Sequence, residues 1–536
     1  MSTELAAAEV SIVKPAVNPW LIAVTVTLAT FMELLDTSIA NVSLPYIGGG
    51  LGRSYDEVTW ILTTYLVANA VVLPMSAWLS RVFGRKNYYL GCVALFTLTS
   101  LFCGFAPTLG IMLSSRVLQG IAGGGLAPVA QAILVDTFPA AKRASAFALY
   151  TVVIVTAPAI GPVLGGWITD NYSWRWIFFI NIPIGILAFA LTSRLVQDPP
   201  SFGAERAAVR PGGKLTVDGM GITLIALASA ALEIALDRGQ IEDWFGSPFI
   251  CWMLGLALFG WMATIIWEMR VKEPVIDFRL LGNRNFAISN VLFFVFGLGL
   301  FGSTTLIPQM LQSLYGYRAI DAGLVLGPGA FVITLLAPVG AQLIQRRMVQ
   351  PRVLITFSLV TVAAAMWHYS TFNLATDYRH FALARAFQGL GYGFFFVPVN
   401  IIAYSQLRPD QNNRASSLTN FFRNWGGSFG IALITTVSER RQEFHQTNLG
   451  GAITSTSQQF TERVNALTNY LIDKGFTGPD AALAAQSRVM QQLQHQVSLL
   501  AFMDCFRILA WITLATVPLI IFIRHFKAAG KAPAGH

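Results

Sequence analysis

From Trp20 almost to its end, the chain repeats one pattern: apolar runs of about twenty residues, separated by shorter polar segments. A run of that length crosses the hydrocarbon core of a bilayer as a helix. A bilayer offers the backbone no water, so such a chain is confined to structures that satisfy their own hydrogen bonds. Composition agrees. Only 12% of the 536 residues are charged, about half the usual share of a soluble protein, 54% are hydrophobic, and the mean hydropathy is +0.57. The expected fold class is an all-α polytopic membrane protein.

About fourteen runs are expected to span. Six lie near 20–41, 58–80, 88–106, 109–132, 145–168 and 175–196. Two follow a polar connector (Glu205, Arg206, Arg210, Pro211, Lys214), near 217–236 and 249–268. Six more lie near 286–308, 322–344, 352–372, 380–404, 416–437 and 501–524. The first run carries acids and is too long for a signal sequence, so it is expected to remain as an uncleaved span. Net charge is +9, but the basic residues sit in loops rather than on one polar face. That is the pattern of positive-inside topology, and nucleic acid is not an expected partner. One set of loops holds Arg81, Arg85 and Lys86; Lys142 and Arg143; Arg270, Lys272, Arg279 and Arg284; Arg346, Arg347 and Arg352; Arg408 and Arg414; and Arg524, Lys527 and Lys531. The bias places both termini in the cytoplasm.

The chain also repeats itself. Ser115-Arg116-Val117-Leu118-Gln119-Gly120 is echoed by Ala384-Arg385-Ala386-Phe387-Gln388-Gly389, and Lys142-Arg143-Ala144-Ser145 by Asn413-Arg414-Ala415-Ser416. The two offsets are nearly equal, so a six-span unit is duplicated with a pair inserted between the copies. The expected organisation is a cytoplasmic N-terminus (1–19), a first six-helix bundle (20–196), connectors with two inserted helices (197–285), a second bundle (286–524) and a cytoplasmic tail (525–536). The second bundle includes a long outer loop, 438–499. Duplicated halves meeting around a midplane cavity are a transporter architecture. The loop 438–499 is polar and Gln-rich, yet Phe460–Ile472 and Asp480–Leu500 carry helical apolar spacing, which fits either a solvated hairpin or a docking surface.

Polar groups inside the spans single out a site. Glu33 and Asp36 lie within about 60° of each other on the first span. A bilayer-buried acid costs roughly 2.5 kcal/mol or more unless paired or wet. Arg116 on the fourth span needs an anion, and either acid can supply it; the pair can also serve packing alone. Asn420, Arg423 and Asn424 share a face of the thirteenth span and are expected to line the cavity, with Gln119, Asn41 and Gln388. Glu233, in the inserted pair, is expected to reach the outer surface with Asp237. Gly161-Pro162 and Gly165-Gly166 predict a kinked, closely packed fifth span. Cys92, Cys103, Cys251 and Cys505 are scattered with no Cys-x-x-Cys, so neither a disulfide framework nor a metal site is expected. Gly297–Gly302 fits a dinucleotide fingerprint and Gly426–Gly430 a nucleophile elbow. Neither follows a strand, and no phosphate loop is present, so cofactor and ATP chemistry are not expected.

These residues resemble a known family. Arg116-x-x-Gln119-Gly120 and Gly161-Pro162-x-x-Gly165-Gly166 are similar to the fourth- and fifth-span signatures of major facilitator superfamily drug:proton antiporters. Leu35-Asp36-x-x-Ile39-Ala40-Asn41-Val42-x-Leu44-Pro45 is similar to the first-span signature of the fourteen-span branch. Trp176–Gly185, Leu236-Asp237-Arg238-Gly239 and the long last outer loop resemble EmrB-type multidrug exporters. The resemblance implies two six-helix bundles plus two inserted helices, in a bacterial inner membrane. It implies export of hydrophobic or amphipathic compounds against protons as the coupling ion, with no cofactor. It also implies an EmrA-like periplasmic adaptor, possible at loop 438–499, and a TolC-like outer-membrane channel. Asp36 is then the first expected proton carrier, Glu33 the second, and Arg116 their counter-ion. One departure stands out: Arg81 occupies the place of the family's acid in Ala77–Lys86. Export of a single metabolite, siderophore or lipid is an alternative, and a membrane-embedded enzyme a remote one.

Overall fold

The computed structural model describes residues 18–139, 142–198, 203, 217–451 and 457–523. The connector residues Glu205, Arg206, Arg210, Pro211 and Lys214, residues 1–17 and the tail from Arg524 lie outside that set. Among the described residues every regular element is a helix: α1 (Pro19–Leu51), α2 (Tyr55–Phe83), α3 (Arg85–Phe105), α4 (Leu109–Thr137), α5 (Arg143–Asn171), α6 (Trp176–Phe179), α7 (Asn181–Leu195), the inserted α8 (Gly219–Arg238) and α9 (Pro248–Arg270), then α10 (Arg284–Tyr315), α11 (Ala319–Leu324), α12 (Gly327–Gln345), α13 (Pro351–Tyr369), α14 (Tyr378–Gly393), α15 (Phe396–Tyr404), α16 (Asn412–Gly450), α17 (Gln458–Asp473) and α18 (Gly478–Ala515). Short 3-10 turns join some of them.

Local chemistry sets the ends. Asn18 caps α1 by accepting from the Trp20 amide, with Pro19 in the first turn where its missing N–H costs nothing. Gly52 closes α1 at φ 62°, a left-handed position that suits glycine. Ser54 and Glu57 form a reciprocal capping box on α2.

Thirteen helical stretches among the described residues are long and apolar enough to cross a membrane. The remaining expected span, 416–437, lies within the 39-residue α16 and falls outside that set. Its buried residues explain why: Asn413, Ser416, Ser417, Thr419, Asn420 and Arg423 face protein rather than lipid. By contrast α9 exposes Trp252, Leu258, Phe259, Ile265 and Ile266, the surface expected of a lipid-facing helix.

The duplication is visible as packing. In the first bundle α1 packs on α5, α2 and α3 on α4, and α3 on α7. In the second, α10 packs on α16, α12 and α13 on α14, and α13 on α18. The halves meet where α5 touches α12 and α2 touches α16, while α8 lies against both α2 and α16. The glycines that mimic a fingerprint and an elbow form the α10–α16 seam. A Cβ on Gly297 would run into the Arg423 carbonyl, and one on Gly426 into the Phe294 carbonyl.

Among its described residues the long loop 438–499 is helical and continuous with its flanking spans. α16 runs on through Gly450 and α18 begins at Gly478. With α17 they form a hairpin with its own apolar seam of Val464, Leu471, Ala481, Ala485 and Val489. Tyr470, Ile472, Phe476 and Leu483 remain exposed. At the base of this hairpin Asp504 accepts from Arg441 (2.6 Å), His445 (2.9 Å) and Arg507 (3.2 Å).

Candidate functional site

The first bundle encloses a fully buried acid–base cluster. Asp36 on α1 accepts from Arg116 Nη1 on α4 at 2.6 Å, from Asn181 Nδ2 at 2.7 Å and from Gln119 Nε2 at 3.2 Å. Arg116 also donates to Gln119 Oε1 (2.7 Å) and to the Ile61 carbonyl (3.2 Å), and its guanidinium lies 4.4 Å over the Tyr65 ring. Ser100 on α3 accepts from Gln119 (2.7 Å) and Asn181 (3.1 Å). Five helices of one bundle thus contribute to the cluster, with α4 and α7 bonding the carboxylate itself, so the choice between two acids for Arg116 resolves to Asp36. A buried pair with further hydrogen bonds of this kind offsets the cost of removing both charges from water.

Asn181 was the member least visible in sequence. It stands where the sixth span breaks between α6 and α7, and its signal was one amide in the apolar Trp176–Gly185 segment.

The fifth span supports the cluster from behind. A Cβ on Gly161 would collide with Ser38, and one on Gly165 would sit 3.1 Å from Ile39. Pro162 has no N–H for the Pro158 carbonyl, and that carbonyl instead accepts from Ser38 Oγ at 3.0 Å. The Gly-Pro motif therefore ties α5 to α1 two residues from Asp36. Gly166 faces the other half, with Ile320 nearby.

Glu33 points elsewhere. It is buried, accepts from Asn69 on α2 (3.2 Å), and its second oxygen has no partner. Arg423 of α16, in the opposite half, attracts it electrostatically. Arg423 is buried and donates to Asn424 (3.3 Å). Asn420 donates to Gln131 of α4, and Gln131 donates to Asn400 of α15 at 2.7 Å. Of these residues Asn420 bonds across the meeting of the halves, whereas Glu33 bonds within the first bundle and Arg423 to its neighbour Asn424. Asn41 is exposed, and Gln388 is buried beside Arg385 within the second bundle. The expectation for Glu233 needs correction: it is buried, and Ser428 of α16 donates to it at 2.8 Å. α8 lies against α16, and that contact turns the acid inward. Asp237, one turn on, accepts from Thr63 of α2.

The departure at Arg81 has a structural answer. Arg81 is buried and donates to Glu273 (2.9 Å) and to the Pro274 carbonyl (3.3 Å), both in the segment after α9. Arg414 of α16 reaches Glu273 (3.2 Å) and Asp277 (2.8 Å). Asn413 donates to Ser80 Oγ (2.6 Å) and the Ala77 carbonyl (3.1 Å). The acid lost from the α2–α3 junction is thus supplied by the connector after the inserted pair, which joins the two halves at this end.

Comparisons with known proteins follow the same lines. The sequence pattern described as Major Facilitator Superfamily matches residues 26–431. Multidrug export protein EmrB of Escherichia coli (strain K12) is 34% identical over 527 residues, covering 98% of this chain and 99% of that one. Fatty acid resistance protein FarB of Neisseria gonorrhoeae is 35% identical over 464 residues, 87% of this chain and 89% of that one. Among solved structures, the human organic anion transporter MFSD10 (TETRAN) superposes with a TM-score of 0.58, covering 94% of this chain and all of that one. Its identity of 10% speaks to the fold alone.

Proposed function

Because the chain belongs to the Major Facilitator Superfamily, in its EmrB-type branch, we propose that it exports hydrophobic or amphipathic drugs in exchange for protons. The observation that carries this reading is the buried contact of Asp36 with Arg116 at 2.6 Å. Ionised Asp36 holds Arg116, Gln119 and Asn181. Protonation removes the charge and leaves Arg116 with the Gln119 and Ile61 oxygens. The helices that this cluster ties together, α1 and α4, are the ones pressed against α5 and α2, so losing the ion pair loosens the contacts that fix the bundle's shape. Glu33 is the second choice for the carrier, after Asp36, and substrate binds where the halves meet, among Asn420, Arg423 and Asn424. With about 150 mV of proton-motive force, one proton supplies about 3.5 kcal/mol, a few-hundred-fold gradient.

The charge-sorted loops support a bacterial inner-membrane location with both termini cytoplasmic. The exposed apolar tip of the helical hairpin supports contact with an EmrA-like periplasmic adaptor feeding a TolC-like outer-membrane channel. Dedicated export of one lipid-like compound is a second reading, favoured by the name of the FarB relative. One experiment tests both. Purified protein in weak buffer is titrated with a panel of hydrophobic compounds while proton release is followed. Release by several unrelated compounds, lost in Asp36→Asn, is expected. Release by a single class supports the dedicated reading, and undiminished release from Asp36→Asn refutes the assignment of the carrier.

A further inference from the structure

The inserted pair lies across the seam between the halves and bonds to both of them. Near the connector that follows α9, α2 and α16 bond directly. Ser417 Oγ lies within donating reach of the carbonyls of Leu73 (2.9 Å) and Pro74 (3.0 Å), and Asn413 donates to Ser80 and Ala77. Toward the end where α16 passes into the hairpin, α8 and the turn after it bond to each helix. On α2, Thr63 donates to Asp237, and Thr59 Oγ1 accepts at 3.0 Å from buried Arg238, whose guanidinium lies 4.9 Å over the Trp60 ring. On α16, Ser428 donates to Glu233 (2.8 Å), Thr436 Oγ1 accepts from Trp244 Nε1 (2.9 Å), and Glu439 accepts from Gln240 (2.6 Å). These partners run over about three turns of α16, and α8 packs on α2 more extensively than on α16.

The turn that presents Trp244 is strained. Asp243 and Trp244 have φ of 58° and 41°, in the left-handed region that residues with a Cβ avoid. Gly239 makes room for the arrangement: a Cβ there would lie 2.8 Å from the Trp244 ring. Such strain persists only where surrounding contacts impose it. Here they include the bonds of the indole N–H to Thr436 and to Gln240 Oε1 (3.0 Å). Phe421 and Trp425 of α16 lie between its two sets of bonds. They meet Trp261 of α9 ring to ring, with centroids 5.2 and 4.7 Å apart. Ring packing tolerates a small change of angle better than a hydrogen bond does.

Two halves that rock about a midplane site open one end of their seam as they close the other. The α2–α16 bonds near the connector and the α8–α16 bonds near the hairpin therefore cannot all persist through such a cycle, and Trp261 sits at the pivot between them. We infer that the inserted pair is a strap. Seated on α2, it closes the hairpin end of the seam by holding α16 through Glu233, Gln240 and Trp244, and it releases α16 when that end opens. These three are positioning residues for the alternation of the halves. The inference rests on the exporter reading only in requiring two alternating halves, and it needs neither Asp36 nor a proton gradient.

Full-length protein carrying Cys251→Ser, with spin labels on Arg53→Cys and Arg318→Cys, is studied in lipid nanodiscs without substrate or gradient. Arg53 and Arg318 are exposed at the hairpin ends of the first and second half, and the remaining cysteines are buried. Double electron–electron resonance then reads how far apart those ends stand. Gln240→Leu/Trp244→Phe removes two of the bonds to α16 while keeping a ring over Gly239. It is expected to lower the ratio of short to long distances on the order of tenfold. The same change is made with Arg414→Ala, which loosens the connector end and so favours a closed hairpin end. There the loss of the strap shows even if the wild type rests open. Gln240→Leu alone shifts the ratio the same way by less, and keeps the test if the larger change does not fold. Distances unchanged in both backgrounds overturn the strap, as does a shift toward the short distance. Undiminished proton release from Asp36→Asn would count against the carrier alone, so the two ideas fail separately.

Discussion

Replacing Asp36 by Asn separates coupling from folding in a measurable way. The change removes one charge and turns an acceptor-only carboxylate into an amide. Arg116, with no exposure at all, loses its only anion, and the new NH2 faces donors on Gln119 and Asn181 that had both bonded the same oxygen. Breaking a buried pair from one side costs about 3–5 kcal/mol. Asp36→Asn/Arg116→Gln leaves neither charge stranded, so it should recover a large part of that loss, at least about 1 kcal/mol beyond additivity. Transport should follow the opposite logic. With one proton exchanged per neutral substrate, wild type in proteoliposomes at about 150 mV should build a few-hundred-fold substrate ratio. Both variants should relax to a ratio of about one, because neither can carry the proton. Gradient-free exchange of labelled for unlabelled substrate should persist in the double variant, which distinguishes uncoupling from collapse. Gradient-driven accumulation by Asp36→Asn, or a double variant no more stable than the single, would refute the reasoning.

Other consequences follow from particular contacts. Gly161→Ala pushes a methyl into Ser38 and should lower stability by about 1–3 kcal/mol in detergent, whereas Gly49→Ala, where nothing lies within 4 Å, should be neutral or better; equal unfolding midpoints would contradict the α1–α5 packing. Glu273→Ala leaves the buried Arg81 without its carboxylate and should cost about 1–3 kcal/mol, with Arg414→Ala largely non-additive to it in a double-mutant cycle. Excising residues 451–490 removes most of a hairpin that carries its own apolar seam; proteoliposome transport should survive while resistance in cells with two membranes falls to background. Normal resistance after that excision would end the docking role.

Much of this was legible in the sequence because membrane folding obeys few rules. Run length and the echo of Arg116-Gln119 in Arg385-Gln388 gave the spans and the duplication. The pairing of Arg116 with an acid of the first span followed from the cost of an isolated charge. Glu233 was misread, since a sequence does not say which neighbour an inserted helix leans on. In the sequence Arg81 showed only a departure from the family's acid, because Glu273, which accepts from it, lies nearly two hundred residues away and on a connector. The polar α16 shows the converse: its Asn and Ser residues weaken the hydropathy of a span whose polar face meets protein.

The sequence by itself determined that this chain is a bundle of membrane helices in two related halves, because the bilayer admits little else for such runs. It also determined that Asp36 and Arg116 need partners. Only the tertiary structure decided which partners they and their copies have. Asp36 and Glu33 are three residues apart on one helix, yet one turns to α4 and α7 and the other to α2. Arg116 and Arg385 stand in the same motif, yet one meets an acid and the other the oxygens of Ser303, Thr304 and Gln388. Helical pitch fixes direction only to within a neighbouring helix, and the charge a site holds depends on what that neighbour presents.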